Sequence, residues 1–434
     1  MKDTGKSNKN GFPTGGYLRC LAVGLGMTLT TGLSAQSPSG KNTPKISSRV
    51  VTADQPHLYG SLYVEKKGFH LRSGDYVSND NGKTWNKDPM EPDFTSGLPH
   101  GYRRGANPPV LDPKTGKILT IVNSLDVKGL DPSINEPPIA QQTYYLRYRV
   151  SKDAGNIWLF GEPMIQVGDF TKDHPFPGVF IGKNSIYVGD RGSIPVFTKK
   201  GKILVPVQTT PLGPDGKLWN PGDGHTYTDA VVIIGEWAKD NTITWKMSER
   251  VEGDPKKSTR GMIEPSLLEM KDGRLLMVMR GSNAKRGSSE YSLPGYKWAS
   301  ISKDDGNTWT EPEPFTFEDG TPFYSPSSMS TLFKHSSGRC FWVGNMTEKN
   351  SEGNLPRWPL VMVELNTKTL QLMKSSLLVL DTFGEEDKSK GRLDISHFSL
   401  MEDRETKEII LTYPRSYHAY KSREWVTTRI KVEK

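Results

Sequence analysis

Ser302-Lys303-Asp304-Asp305-Gly306-Asn307-Thr308-Trp309 reads as one tight hairpin turn. The Asp304 carboxylate is short enough to hydrogen-bond its own turn's backbone, Gly306 supplies a positive φ, and Trp309 follows as a large apolar plug. The spacing Ser-x-Asp-x-Gly-x-x-Trp recurs at Ser78–Trp85 and at Ser151–Trp158. A degenerate copy reads Asp240-Asn241-Thr242-Ile243-Thr244-Trp245. Repeated tight turns predict an all-β chain assembled from copies of one unit.

A second repeat runs alongside. Apolar strand, polar turn, apolar strand recurs at Pro108–Val122, Ile194–Val207, Pro265–Met279, Met329–Val343 and Phe398–Tyr413, with a weaker copy at Leu62–Leu71. The turn glycines Gly68, Gly116, Gly201, Gly273 and Gly338 are 48, 85, 72 and 65 residues apart. A unit of that size fits one four-stranded propeller blade, and six units predict six blades. The Ser-x-Asp turns fall between these hairpins, where a blade's second hairpin belongs.

Composition agrees. The chain has 434 residues, 34% hydrophobic, with 43 Gly and 31 Pro, which favours many short strands and turns. Lys2, Lys6, Lys9 and Arg19 precede an apolar run from Cys20 to Leu33, and Leu33-Ser34-Ala35 reads as a cleavage site. We therefore expect a signal peptide at 1–35, a linker at 36–48, a propeller at 49–434, and a periplasmic or secreted protein. The apolar run is too short for a stable membrane span. Cleavage would leave Cys340 as the one cysteine, a buried inert thiol without a disulfide partner.

The net charge of +8 drops to +5 once the four basic and one acidic side chains of 1–35 are removed. The basic residues are scattered, so nucleic-acid binding is not indicated and a monomer is expected. No metal or cofactor is expected, since the eight His are dispersed and no His-Glu-x-x-His, Cys-x-x-Cys or phosphate-loop pattern occurs.

Inner propeller strands converge on one axis, so equivalent strand ends ring the channel mouth. After the second strand of successive hairpins stand Asn123, Gln208, Arg280, Asn345 and Arg415; before or at the first stand Asn107, Arg191, Glu264, Tyr324 and His397. Polar strand ends are common in any sheet. Several Arg with Glu, Tyr and His at equivalent ends also compose a ligand site. The tripeptide Asn345-Met346-Thr347 further matches an N-glycosylation acceptor.

With its three Asp-boxes the chain resembles the sialidase superfamily of six-bladed propellers. Ile263-Glu264-Pro265-Ser266 through Met279-Arg280 is similar to the segment that carries a catalytic Glu and one Arg of the carboxylate-binding triad. Phe323-Tyr324-Ser325 is similar to the site of the nucleophilic Tyr, and Arg191-Gly192-Ser193-Ile194-Pro195-Val196 to a blade-opening strand. The resemblance implies that Tyr324 attacks, Glu264 acts as its base, and Arg280 grips a substrate carboxylate. The pattern is incomplete. The opening Arg-Ile-Pro motif is absent, leaving Arg72 or Arg104 as substitutes and Asp75 as the nearest acid. Lys297 stands where the third Arg belongs, and Arg415 is the available replacement.

Three readings follow. The first is an exported exo-glycosidase that hydrolyses a terminal acidic sugar. The second is a polysaccharide lyase on uronic-acid glycans, with His174, His225, Tyr187, Tyr227 or His397 as acid and base beside Arg191 or Arg280; each His also reads as a surface loop residue. The third is a glycan-binding propeller without catalysis.

Overall fold

Each Asp-box folds as the turn its residues predict. In the 302–309 copy Ser302 Oγ donates to Asp304 Oδ1 at 2.8 Å, and Gly306 N donates to Ser302 Oγ at 3.0 Å. Thr308 N donates to the same carboxylate at 3.0 Å, and Trp309 Nε1 closes onto Gly306 O at 3.1 Å. Gly82, Gly155 and Gly306 take φ values of 83°, 84° and 87°, the left-handed region that favours glycine. Hydrogen bonds from the Thr84 hydroxyl and backbone hold Asp80 at about 2, well below an ordinary carboxylate. The three Trp rings are half-buried rather than sealed plugs.

The computed structural model describes residues 43–89, 102–106, 108–126, 140–159 and 161–433. The expected signal peptide and most of the expected linker lie outside the described residues. The rest forms six small antiparallel sheets, one per blade of a six-bladed propeller. Blade 1 is Leu62–Tyr63, Leu71–Ser73, Tyr76–Ser78 and Asn86–Lys87. Blade 2 holds Tyr102–Ala106 and Val110–Leu111, then Ile118–Asp126, Tyr145–Ser151 and Gly161–Pro163. Blade 3 holds Ile186–Tyr187 and Val196–Phe197, then Ile203–Thr209, Asp229–Trp237 and Ile243–Met247. Blade 4 is Ile263–Glu269, Leu275–Arg280, Lys297–Ser302 and Glu313–Pro314. Blade 5 is Ser330–Lys334, Cys340–Asn345 and Leu360–Asn366, with Gln371–Leu372 and Leu378–Asp381 beside the last. Blade 6 holds Leu393–Ile395 and Ser399–Glu402, then Ile409–Tyr417 and Ser422–Lys431.

The ring closes through its N-terminal end. Lys45–Thr52 pairs antiparallel with Ser422–Lys431, Val51 opposite Val426, and completes blade 6. The linker expected at 36–48 is therefore corrected at its end, because Lys45–Ser48 is already strand. Its eight side chains are all exposed, so the segment carries no alternating apolar pattern.

Blades pack face to face. Leu204 and Val232 of blade 3 meet Met277, Met279 and Trp298 of blade 4, and Leu276 and Val278 of blade 4 share a core with Trp342 and Val363 of blade 5. Central strands such as Leu275–Arg280 and Cys340–Asn345 are buried on both faces, which is why they read as unbroken apolar runs. Cys340 lies in that core, and burial pushes its thiol up.

Candidate functional site

The polar residue ending the second strand does the same work in several blades. Asn123 of blade 2 donates to Val188 O at 2.9 Å and accepts Val188 N at 2.8 Å, stapling blade 2 to blade 3. Gln208 of blade 3 accepts Glu264 N of blade 4 at 2.7 Å. Asn345 of blade 5 donates to Ile395 O of blade 6 at 3.0 Å and accepts from Ser328 Oγ at 2.9 Å. Asn345 and Gln208 are thus structural staples rather than substrate contacts, and Asn345, with no exposed surface, cannot be a glycosylation acceptor.

Arg415 is withdrawn in the same way. Its guanidinium pairs with Asp381, with both oxygens of Asp387 at 2.6 Å, and with the Tyr417 hydroxyl, and it is 4% exposed. Burial works against its charge, but the Asp387 and Asp381 bonds outweigh it and raise its pKa. Lys297, fully buried, donates Nζ to Pro326 O at 3.2 Å and to Ser328 O. Burial first, then the Arg280 charge, push its pKa well below the lysine range. Neither residue replaces the triad Arg that the resemblance implied.

Tyr324 stands apart as well. Its ring stacks on Tyr296 with centroids 5.9 Å apart, and its backbone bridges to Thr347. It is not among the residues lining the cavity that holds Glu264. Arg72 is buried between blades 1 and 2, bonded to Asp88 at 2.7 Å and to Ala154 O at 3.2 Å. Asp75 lies in the Ser73–Tyr76 hairpin turn of blade 1. The side chain of Arg104, and Asn107, lie outside the described residues. His174 stacks on Phe180, Tyr187 lies tilted against Tyr144 with centroids 5.6 Å apart, and the Tyr227 hydroxyl donates to Gly253 O, so these three are engaged in packing contacts.

What the strand ends do bring together is a cavity of about 670 Å³. Five arginines (191, 260, 280, 357 and 423), His225 and His397 line it, with Asp190 and Glu264 as its two carboxylates. Tyr59, Tyr420 and Trp425 supply an aromatic wall, the Tyr59 and Trp425 rings 4.7 Å apart edge to face.

Glu264 is held under strain. Its φ is 49°, and the strand register shifts between Ile263 and Ser266, a bulge that re-aims its side chain. Oε1 accepts Arg280 Nη1 at 2.6 Å, while Oε2 is buried with no hydrogen-bond partner. Arg280 is fixed in turn by Ser327 Oγ at 2.8 Å and Asn354 Oδ1 at 3.2 Å. Gly189 permits the approach of blade 3, since a Cβ there would sit 2.7 Å from Glu264 Cγ.

The next residue, Asp190, faces His397 across the channel. His397 Nε2 lies 3.1 Å from Asp190 Oδ2, and its Nδ1 is 2.9 Å from Ser396 Oγ. His397 is also left-handed, φ 57°, and its carbonyl accepts the Tyr59 hydroxyl at 2.6 Å. Burial alone would raise Asp190; the His397 bond and charge, the Arg191 N–H and the Arg280 charge outweigh it and hold it at about 2. Arg191 lies over the Tyr59 ring, 4.2 Å from its centroid. Arg357 is 8% exposed, donates to the Tyr420 hydroxyl at 2.7 Å, and keeps a buried Nε without a partner.

Of the expected site residues, Arg191, Glu264, Arg280, His397 and His225 meet here. Sequence reasoning missed Asp190, Arg260, Asn354, Arg357, Tyr420 and Arg423. Asp190 adjoins Arg191 and was legible by proximity; Arg357 and Tyr420 come from irregular loops outside the hairpin repeat. Among the described residues no group of three or more His, Cys, Asp or Glu is placed to hold a metal ion, and no helix is long and apolar enough to cross a membrane.

This architecture is that of an Asp-box propeller, and the chain belongs to the BNR repeat-like domain family, whose model matches residues 100–382. Comparison with curated protein sequences finds no match. Among solved structures it is similar to a protein of unknown function from Dyadobacter fermentans, at TM-score 0.54 and 16% identity, covering 90% of this chain and 100% of that one. It is similar to the Hadza microbial sialidase Hz136 at TM-score 0.50 and 15% identity, covering 89% of this chain and 66% of the sialidase. The NanB sialidase of Streptococcus pneumoniae aligns at TM-score 0.48 and 13% identity, over 91% of this chain and 69% of that one. At these identities the first two likenesses speak for the fold alone.

Proposed function

We propose that this propeller is an exo-acting glycoside hydrolase for a terminal acidic sugar. The observation that carries the reading is Glu264, strained, bulge-aimed and half-engaged by Arg280, with a free buried oxygen in an arginine-lined cavity. The aromatic wall suits a sugar face, and Arg280 with Arg357 suits its carboxylate. Glu264 takes a proton from water as that water's oxygen attacks the anomeric carbon. The glycosidic C–O bond breaks, and His397, whose Nε2 lies 3.1 Å from Asp190 Oδ2, gives a proton to the departing oxygen. Tyr324 has no part in this scheme. An export signal at residues 1–35 would place the enzyme in the periplasm or beyond; amino-terminal sequencing of protein from that fraction should then begin at Gln36.

One observation favours elimination as a second reading. His397 on Asp190, and Tyr420 hydrogen-bonded to Arg357, bring a base, a hydroxyl and a cation into one cavity. On a uronate, the base would remove the C5 proton while Arg357 neutralises the carboxylate, and the C4–O bond would break as the Tyr420 hydroxyl gives its proton to the departing oxygen, leaving an unsaturated sugar. Reducing-sugar release and near-ultraviolet absorbance, measured together on sialylated and uronic-acid glycans, separate the two. Release without absorbance, lost in Glu264→Gln, supports hydrolysis. Absorbance gain lost in His397→Ala makes the protein a lyase. No product on any glycan overturns both and leaves a binding propeller.

A further inference from the structure

The cavity does not end at Arg260. A second cavity of about 410 Å³ opens from it, sharing His225, Arg260 and Asn354 as a common wall. Its own lining adds Lys285, Arg286 and Arg392, and its one carboxylate is Glu352. Arg260 is fixed at the junction, its Nη2 and Nε donating to Thr226 Oγ1 at 2.6 and 3.1 Å. Arg392 is committed to Asp394 at 2.7 Å. Lys285 and Arg286 are exposed and have no carboxylate partner among the described residues. Cations left unneutralised in a concave wall attract an anion there, and the low-dielectric walls concentrate that attraction.

We propose that this second cavity is a subsite for an anionic group on the sugar next to the one cleaved. The substrate is then a polyanionic glycan end, charged on two neighbouring sugars, rather than a neutral glycan capped by one acidic sugar. This rests on the glycosidase reading for the first cavity. Lys285 and Arg286 meet the second charge at the outer wall, while Arg260 lies between the two charges. A carboxylate and a sulfate ester share the chemistry these side chains recognise.

The test uses binding, so that it does not depend on turnover. Dissociation constants are measured by calorimetry for the Glu264→Gln protein with three disaccharides. One is charged only on the terminal sugar, one carries a second carboxylate, and one carries a sulfate on the second sugar. A doubly charged ligand should bind at least about tenfold tighter, the scale of one charge-assisted contact. Adding Lys285→Ala and Arg286→Ala should erase that advantage and leave the singly charged ligand within about twofold. Whichever doubly charged ligand gains more identifies the group as carboxylate or sulfate. Equal binding of all three, or an advantage that survives the double substitution, overturns the subsite. If none binds, the subsite falls together with the glycan reading. Binding with this pattern but no turnover by the wild-type protein would retain the subsite and overturn the hydrolase.

Discussion

Gln208 Oε1 accepts the backbone N–H of Glu264 at 2.7 Å, so a staple between blades 3 and 4 also fixes the one residue whose strained backbone aims a carboxylate into the cavity. Gln208 is 3% exposed, and truncation leaves that N–H buried and unpaired. Gln208→Ala should cost about 1–3 kcal/mol in urea denaturation. It should also lower kcat more than it raises KM, because the ground-state arginines stay in place. A stability loss with unchanged kcat would show that Glu264 needs no such support.

Glu264 and Tyr324 separate the structural reading from the family resemblance. Glu264→Gln keeps the shape and removes the base, so the rate on any accepted glycan should fall about 10²–10⁴-fold. Tyr324→Phe should leave the rate within about twofold, since the ring stacks on Tyr296 and does not line the cavity. A large loss in Tyr324→Phe would return the nucleophile to that residue.

The Asp190–His397 pair sets a pH window. Asp190 is depressed to about 2, so its contribution to stability is present above about pH 4 and is lost as pH falls toward 2. The difference in unfolding free energy between wild type and Asp190→Asn should be widest above pH 4 and close below it. A difference that stays constant down to pH 2.5 would mean that the pair does not hold the carboxylate ionised.

The fold was legible because its signals are local. Asp80, Asp153 and Asp304 each bond within four residues of themselves, and the apolar hairpins need only their own turns. The cavity was half legible. Arg191, Glu264 and His397 hold equivalent places in the hairpin repeat, so counting from the turns finds them. Arg357 and Tyr420 come from loops, and the bond between them spans 63 residues. The polar ends Asn123, Gln208 and Asn345 misled for a physical reason. A buried strand end in a propeller must satisfy the next blade's backbone, and an amide does that as readily as it binds a sugar.

Arg415 tests the difference between a structural and a binding arginine. It neutralises Asp387, a side chain with no exposure, and shares Asp381 with Arg49 from the closing strand. Arg415→Met strands Asp387 and should destabilise the protein by about 3–5 kcal/mol. KM of the protein that still folds should be unchanged. A raised KM with stability intact would put Arg415 back on the substrate.

Lys297 offers the complementary case, a lysine with carbonyl partners in a wholly buried place. Its pKa is pushed well below 10.5, so the folded protein binds fewer protons there than the unfolded chain does. Stability must then rise with pH through the window between the lowered pKa and 10.5, and be complete above it. Lys297→Met removes the titration but leaves two buried carbonyls short of a donor, a cost of about 1–3 kcal/mol. The wild type should therefore gain on the variant between pH 8 and pH 10, with KM alike in both. Parallel stability curves across that range would place the ammonium in its ordinary charged form, and a raised KM would make Lys297 the carboxylate contact that the family resemblance implied.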